Sequence, residues 1–179
     1  MTKKLVVLLA LSTAQRAQTL SLIKISNIKQ SESCVNIAIT DMTKTSAAGR
    51  TQPNLFLPFF EKPEICPART LCDYIRFTTE IRGHNDYLFL SLKKPHKPVS
   101  ASTVGRWIKN TLSDCGIDTR VFSGHSTRHA STSKAKSKGI SLDVIRQTAG
   151  WTNNSLKFAK FYNRPILNSG EFAHAVLNV

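Results

Sequence analysis

The hydrophobic positions near the N-terminus follow two different periods. The run LVVLLAL, which starts at Leu5, is continued at helical spacing by Ala14, Ala17, Leu20 and Leu22. This pattern predicts one buried helix over residues 5–22. Further along, apolar residues alternate with small or polar ones, as in a half-buried strand, at Val35, Ile37 and Ile39. A Gly-containing turn and the stretch NLFLPF follow, which predicts an antiparallel hairpin with Lys44 at or near its turn.

The middle of the chain predicts two helices separated by an extended segment. The first helix covers residues 68–82 and ends at Gly83, with Leu71, Ile75 and Phe77 on its apolar side. The sequence DYLFLSL then predicts a buried extended segment, and KKPHKP predicts a basic loop. Either Ser100 or Ser102 is expected to cap the second helix, which Gly116 ends.

Helical patterns continue to the C-terminus. One helix is predicted to open near Gly124 and to run to Gly139, and a shorter one starts at Ser141 and ends at Gly150. Two further helical segments are predicted over residues 155–162 and 170–177. The chain is therefore predicted to be an α+β protein, mainly α-helical, with a small antiparallel sheet near the N-terminus.

The charge balance narrows the classes of function. The 179 residues include 25 Lys and Arg against 11 Asp and Glu, a formal net charge of +14, and 41% of them are hydrophobic. A folded domain that is this basic most often binds a polyanion, and nucleic acid is the commonest polyanion. The simplest alternative is a ribosomal or other structural RNA-binding protein.

Cysteine spacing and hydropathy exclude several other classes. The four cysteines form no C-x-x-C pair and have no histidine at zinc-finger spacing, so we expect reduced thiols, no metal and no cofactor. No apolar stretch approaches the roughly 20 residues that span a bilayer. The lysines before LVVLLAL and the STA after it also imitate a secretory signal. The buried-helix interpretation instead predicts an intracellular protein, nuclear if its source is eukaryotic.

Candidate chemistry is concentrated in GHSTRHASTSKA, which begins at Gly124. His125 stands three residues before Arg128, so at a helix start both side chains could reach the same ligand. Arginine binds two phosphate oxygens at once and stays charged, and the stretch contains no carboxylate that would repel a phosphate. Transfer of a phosphodiester without a metal needs such cations, a nucleophile and a proton donor for the leaving oxygen. We interpret the stretch as half of a phosphate clamp.

At these positions the chain resembles the tyrosine recombinases, also called the phage integrase family. HSTRH resembles the H-x-x-R-H signature of that family, and other family positions follow in the expected order across nearly the whole chain. Gly150-Trp151 stands at the family's usual interval after the second arginine, with Trp151 23 residues beyond Arg128. The matching residues are an arginine after the first helix, a hairpin lysine, the histidine and second arginine, the Gly-Trp tryptophan and a tyrosine, namely Arg16, Lys44, His125, Arg128, Trp151 and Tyr162.

The resemblance implies an integrase-like catalytic domain over residues 1–179 and a role for each residue. Tyr162 would attack the scissile phosphorus and form a 3′-phosphotyrosine, and Lys44 would protonate the leaving 5′-oxygen. The phosphate would be held by Arg16, Arg128, His125 and Trp151. Neither metal nor ATP would be needed, because the covalent bond conserves the phosphodiester energy. The family acts on double-stranded DNA as a homo-oligomer, a synaptic tetramer, and residues 165–179 would dock on a neighbouring protomer.

Several other residues have weaker assignments. Arg50 rivals Lys44 on the same hairpin, and His129 is expected to support neighbouring groups. Lysines that are expected to face solvent or the DNA backbone are Lys134, Lys136 and Lys138. Tyr74 and Tyr87 are alternative tyrosines, although neither follows the Gly-Trp motif.

Three departures from the family pattern leave alternatives open. Thr19 stands where the family commonly has an acidic residue, and 11 residues separate Trp151 from Tyr162, about two more than usual. The usual N-terminal core-binding domain is not within these 179 residues, which is expected of a fragment or a truncated copy. The alternative function is therefore a catalytically inactive DNA-binding domain on the same fold, and a type IB topoisomerase would share the chemistry. The sequences AQRAQTL and HSTRHASTSKA most resemble those of recombinases from eukaryotic retroelements.

Overall fold

The computed structural model describes residues 1–44, 46–49 and 51–151. Within them lie six α-helices, a three-stranded antiparallel sheet and two short 3-10 turns. This arrangement confirms the predicted class, α+β and mainly helical with a small early sheet, while the helices predicted after Trp151 lie outside the described residues. In chain order the helices and strands are α1 (Thr2–Thr13), α2 (Ala17–Ser21), β1 (Ile28–Gln30), β2 (Cys34–Ala38), β3 (Asn54–Pro58), α3 (Pro67–Arg82), α4 (Ala101–Asp114), α5 (Ser126–Ser137) and α6 (Leu142–Ala149).

The single helix predicted over residues 5–22 is wrong, because the chain breaks between α1 and α2. Ala14 adopts a left-handed conformation with φ of 50°, and Arg16 is extended with φ of −76° and ψ of 151°. The hydroxyl of Thr13 supports the break by donating to the Leu9 carbonyl at 2.6 Å and accepting the Gln15 N–H at 3.3 Å. Apolar spacing runs through the break because both helices bury a face, so the pattern could not reveal it.

The predicted hairpin is confirmed. Strands β2 and β3 pair antiparallel with Val35 opposite Leu57 and Ile37 opposite Leu55, and these four side chains are buried. The sheet also contains β1, which pairs with β2 and was not predicted. Its sequence, IKQ, is too short to show alternation of apolar and polar residues, so the sequence pattern did not indicate a strand. In the structure these residues are half-buried to exposed.

Helix α3 starts one residue before its predicted first residue and ends as predicted, with Leu71 buried and Ile75 packed on the core as expected, but not Phe77. It ends at Gly83, whose φ is 55°. Phe77, predicted on the apolar side, is 70% exposed, whereas Tyr74 and Thr78 are buried. At 100° per residue, the positions 71, 74 and 78 share one face of the helix and position 77 lies off it.

The core forms around α1, which contacts α2, α3, α4, α5 and β3. Leu5, the first residue of the apolar run, is fully buried in it. The segment 88–90 is buried as predicted, and Phe89 lies between Tyr74 and Trp107, with ring centres 5.7 and 6.4 Å away. Among the described residues, no helix is both long and apolar enough to cross a membrane. Fully buried core residues include Leu5, Val6, Leu9, Leu20, Ile23, Val35, Ile37, Leu57, Leu71, Leu88 and Val104.

The caps of α4 and α6 settle where these helices begin. Ser100, not Ser102, caps α4, because its hydroxyl accepts the Thr103 N–H at 3.3 Å. Ser141 caps α6 as predicted, with its hydroxyl accepting the Val144 N–H at 3.4 Å. Side-chain caps satisfy N–H groups that have no partner within the helix, so both starts are specified locally.

Candidate active site

The side chain of Arg128 connects α5 with the end of α6. It lies in the first turn of α5 and is 1% exposed. Its Nη2 donates to the Ala149 carbonyl at 3.1 Å, and its guanidinium carbon lies 4.4 Å from the centre of the Trp151 ring. A guanidinium that stacks on an indole and bonds at one edge is fixed in plane and direction. Arg128 is therefore held in one orientation between the two helices.

His125 lies at the N-terminal boundary of α5, one turn before Arg128. Its backbone N–H donates to the Ser123 hydroxyl at 3.2 Å, and its carbonyl accepts the Arg128 N–H at 3.1 Å. The His125 side chain is exposed, in contrast to the buried Arg128. The first turn of a helix favours anions through its N–H groups and dipole, which suits a phosphate beside His125.

The turn before His125 packs closely on α4. A Cβ at Gly124 would lie 3.2 Å from the carbonyl oxygen of Gly105. Gly105 also lies near the start of α2. A Cβ on Gly105 would be 4.0 Å from the Cβ of Ala17, the residue after Arg16. The contacts through α4 therefore bring the His125 turn and the Arg16 segment to the same side of that helix.

Trp151 follows directly after α6. Gly150 ends that helix in a left-handed conformation with φ of 68°, and the Trp151 N–H returns to the Arg146 carbonyl at 2.9 Å. This is the common way in which a glycine reverses the chain at a helix C-terminus. The reversal directs the half-buried Trp151 onto Arg128, so the predicted Gly-Trp motif and the second arginine do come together.

Arg16 lies at the break between α1 and α2. It is the half-buried residue before the first turn of α2, and its neighbour Gln15 is 3% exposed. The Gln15 amide donates to the Thr148 carbonyl in the last turn of α6 at 2.6 Å. The break that the sequence pattern concealed therefore brings the Arg16 segment to the helix end that also contacts Arg128.

Lys44 is exposed in the connection between β2 and β3. Its backbone N–H donates to Oε1 of Gln18 at 3.1 Å, so this part of the loop lies against α2. Within the loop, the Thr43 N–H donates to the Ser46 hydroxyl at 2.8 Å. Arg50, the rival candidate, lies outside the described residues.

The start of the Lys44 loop is anchored by a charged cluster. Lys24 donates to Asp41 at 2.6 Å, and the Tyr87 hydroxyl donates to the other carboxylate oxygen of Asp41 at 3.3 Å. The hydrogen bond to Asp41 raises the pKa of the Lys24 ammonium above its ordinary value. Tyr87 is therefore engaged in holding this loop.

The other alternative tyrosine is part of the core. Tyr74 is 1% exposed, and burial raises the pKa of its phenol. A buried phenol with a raised pKa is a poor nucleophile, because the ionised form is disfavoured. The tyrosine predicted as nucleophile, Tyr162, lies outside the described residues, as does the predicted tail 165–179.

The remaining candidates lie on α5. Lys134, Lys136 and Lys138 are exposed near the end of this helix, which contains no acidic residue. His129 is half-buried, and its carbonyl accepts from the Thr132 hydroxyl at 3.3 Å. The exposed C-terminal end of α5 is therefore a cationic surface, at the opposite end of this helix from Arg128.

Two residues that the sequence analysis passed over connect these segments. Gln15 and Gln18 flank Arg16, and each donates to or accepts from a segment that carries another candidate residue. The sequence feature that could have indicated them is a pair of glutamines on either side of a candidate arginine.

The arrangement as a whole is cationic. The structure brings Arg128, Trp151 and the segment of Arg16 to the C-terminal end of α6, and it places the backbone of Lys44 against the helix that follows Arg16. In the described part of the chain, no group of three or more His, Cys, Asp or Glu side chains could hold a metal ion. Arginine and lysine side chains on neighbouring segments are suited to a phosphate ligand.

The fold of this chain is similar to that of several solved recombinases and integrases. The chain gives no significant match to curated protein sequences. Its structure is similar to XerA recombinase (22% identity, 99% of this chain, 58% of that chain, TM-score 0.67). It is also similar to XerH site-specific recombinase in a post-cleavage complex with palindromic difH (16% identity, 98% and 46%, 0.71) and to the lambda integrase catalytic core (18% identity, 85% and 81%, 0.53).

These similarities confirm the integrase-like catalytic fold. The chain spans about half the length of the XerA and XerH chains, with 58% and 46% of them covered. The model of the phage integrase family matches residues 1–165, nearly the whole sequence. On this match, the chain belongs to the phage integrase family.

Proposed function

We propose that this chain is the catalytic domain of a site-specific DNA recombinase that works through a 3′-phosphotyrosine. Membership of the phage integrase family supports site-specific recombination as the general activity. The observation that carries the finer proposal is the meeting of the segments of Arg16, Arg128 and Trp151 at the end of α6.

The proposed reaction is an exchange of phosphate esters. The phenol of Tyr162 loses its proton to water as its oxygen attacks the scissile phosphorus, the bond to the 5′-oxygen breaks, and Lys44 gives that oxygen a proton. The guanidinium groups of Arg16 and Arg128 neutralise the charge that gathers on the non-bridging oxygens. Rejoining reverses these steps with a 5′-hydroxyl as attacking group, so neither metal nor ATP takes part.

Access to Arg128 adds a condition to this mechanism. Its side chain is 1% exposed, so a DNA phosphate reaches the guanidinium only after the covering groups move aside. Once there, the phosphate binds in surroundings from which water is largely excluded, where charge interactions are stronger than at the surface. DNA is the proposed partner, and a synaptic tetramer is the proposed assembly, because one tyrosine cuts one strand.

A second candidate function is a DNA-binding domain on the same fold without chemistry. The observation in its favour is Thr19, which is 3% exposed within α2 and stands where the family commonly has an acidic residue. Arg16 therefore lacks that carboxylate as a support. The net charge of +14 would still favour DNA.

A covalent-trapping assay tests the proposal. The protein is incubated in EDTA with nicked duplexes that carry the terminal sequences flanking its source gene, and the products are separated on a denaturing gel. We expect a protein–DNA band that is lost in Tyr162→Phe and kept in the matched control Tyr74→Phe. Absence of the band with the unaltered protein, while salt-sensitive DNA binding persists, would overturn the enzyme and support the second function. Absence of DNA binding would overturn both.

A further inference from the structure

Two glutamines flank Arg16 in the stretch Gln15-Arg16-Ala17-Gln18. Gln15 is 3% exposed and Gln18 is half-buried. An amide that leaves water needs hydrogen-bond partners, since burial without them costs free energy. The partners of these two amides lie in two distant parts of the chain.

Gln15 holds the end of α6. Its Nε2 donates to the Thr148 carbonyl at 2.6 Å, 133 positions away in the sequence. The amide also lies against Gly150, where a Cβ would be 3.7 Å from both its nitrogen and its oxygen. Because Trp151 follows directly, this contact sets the distance between Arg16 and the tryptophan that stacks on Arg128.

Gln18 holds the hairpin loop. Its Oε1 accepts the Lys44 backbone N–H at 3.1 Å. Lys44 is exposed, so little apolar burial restrains it, and the loop tip depends on polar contacts of this kind. Gln18 itself lies within α2, which packs on α4. The contact therefore fixes the backbone of Lys44 relative to α2, the helix that begins next to Arg16.

Amides suit both contacts for the same electrostatic reason. One contact needs a donor to a carbonyl and the other needs an acceptor for an N–H, and an uncharged glutamine supplies either. An ionised carboxylate at position 15 could not donate to the Thr148 carbonyl, whereas an amide makes either contact without a net charge. We propose that Gln15 and Gln18 are positioning residues, with Gln15 fixing Arg16 relative to Trp151 and Gln18 fixing it relative to Lys44.

This inference rests on the proposed function, and its test compares three glutamine-to-methionine variants. Methionine keeps the length of the side chain and removes its hydrogen bonds. We expect Gln15→Met and Gln18→Met each to slow covalent trapping about tenfold, with DNA affinity within about twofold of the unaltered protein. Gln30→Met, on the exposed edge strand β1, is the matched control and should trap at the unaltered rate.

A substrate with sulfur in place of the leaving 5′-oxygen separates the two roles. A thiolate leaves without prior protonation, because a thiol is far more acidic than an alcohol. We expect this substrate to restore Gln18→Met to the rate of the unaltered protein, since only the position of Lys44 is disturbed. Gln15→Met should stay about tenfold slower, because its defect lies at the phosphate. If the sulfur substrate restored the trapping rate of both variants equally, or of neither, the two separate roles would be overturned. They would also be overturned if Gln15→Met and Gln18→Met trapped ordinary DNA at the rate of the unaltered protein.

Hydrogen exchange gives a readout that does not depend on catalysis. The Lys44 amide proton should exchange about threefold to tenfold faster in Gln18→Met than in the unaltered protein or in Gln30→Met. An unchanged rate would overturn the role of Gln18. If the unaltered protein forms no covalent complex, the proposed function fails. The positioning roles are then still tested by the exchange rates of two backbone amide protons, that of Lys44 in Gln18→Met and that of Trp151 in Gln15→Met. Should Gln15→Met not fold, Gln15→Ala, which removes the amide and adds no charge, takes its place.

Discussion

The scaffold around α1 and the pair α5–α6 are held in different ways. The buried face of α1 is mostly aliphatic, with Leu5, Val6, Leu9 and Ala10. The buried residues of α5 are all polar, namely Thr127, Arg128 and Thr132. Aliphatic burial is non-directional, whereas each buried polar group needs a partner in a defined direction.

The partners of α5 show what this difference does. Thr127 donates to the Gly124 carbonyl at 2.9 Å, and Thr132 donates to the Arg128 carbonyl at 2.8 Å. Arg128 then reaches the Ala149 carbonyl on α6. The scaffold therefore supplies stability, while directional polar contacts set the orientation of the candidate site. Substitutions in each region can test this division of roles.

The largest effect is expected for Arg128→Met, which touches both roles. Removing the guanidinium takes a cation from the phosphate and leaves the Ala149 carbonyl without its donor. We expect trapping to fall about 10²- to 10³-fold and the free energy of unfolding to fall by about 1–3 kcal/mol. The trapping assay and urea denaturation measure the two losses. An intact trapping rate would remove Arg128 from the proposed site.

Leu9→Ala should affect the scaffold alone. Leu9 is fully buried in the core, and truncation of such a leucine costs about 2–5 kcal/mol in the free energy of unfolding. Trapping per folded molecule should stay unchanged, because the polar contacts of the site are intact. Urea denaturation gives the first quantity, and trapping normalised to the folded fraction gives the second. A large loss per folded molecule would show that the two regions are not separable.

Lys44→Met should give the opposite result. We expect trapping on ordinary DNA to fall about 10²-fold, the usual contribution of a proton donor. The free energy of unfolding should change by less than about 0.5 kcal/mol, because the side chain is exposed. Full trapping activity here would transfer the role of proton donor to another group, with Arg50→Met as the next variant to measure.

Gly124→Ala should have the smallest effect and would sharpen the comparison most. The added methyl group would lie 3.2 Å from the Gly105 carbonyl oxygen, so the turn before His125 must shift by a few tenths of an ångström. We expect a threefold to tenfold loss of trapping and little change in unfolding, because the stiffer alanine destabilises the unfolded chain. The same two assays apply. A loss of stability without loss of trapping would place Gly124 in the scaffold.

Much of the scaffold could be predicted from the sequence. The β2–β3 hairpin and the ends of α3 and α6 followed from alternation, helical spacing, caps and glycines, all of which act between near neighbours. The failures have physical reasons. The break at Ala14 was concealed because α1 and α2 both bury an apolar face, and β1 has no alternation to detect.

The sequence also predicted some residues of the candidate site and not others. Arg128 was identified from its residue type and Trp151 from the resemblance to the phage integrase family, and in the structure the guanidinium carbon lies 4.4 Å from the centre of the indole ring. Nothing in the sequence indicated that Gln15 reaches the Thr148 carbonyl or that Gln18 reaches Lys44. These contacts join residues that are far apart in the chain, and an amide gives no hint of its distant partner.

The sequence by itself determined the helical class, the early hairpin, the basic character and the residues able to bind a phosphate. Each of these depends on composition or on spacing within a few turns, where local geometry suffices. Only the tertiary structure decided that the chain breaks at Ala14, that Arg128 is enclosed, and that Arg128 and the segment of Arg16 meet the end of α6. Those outcomes depend on hydrogen bonds between distant segments, whose directions exist only once the core has set the helices in place.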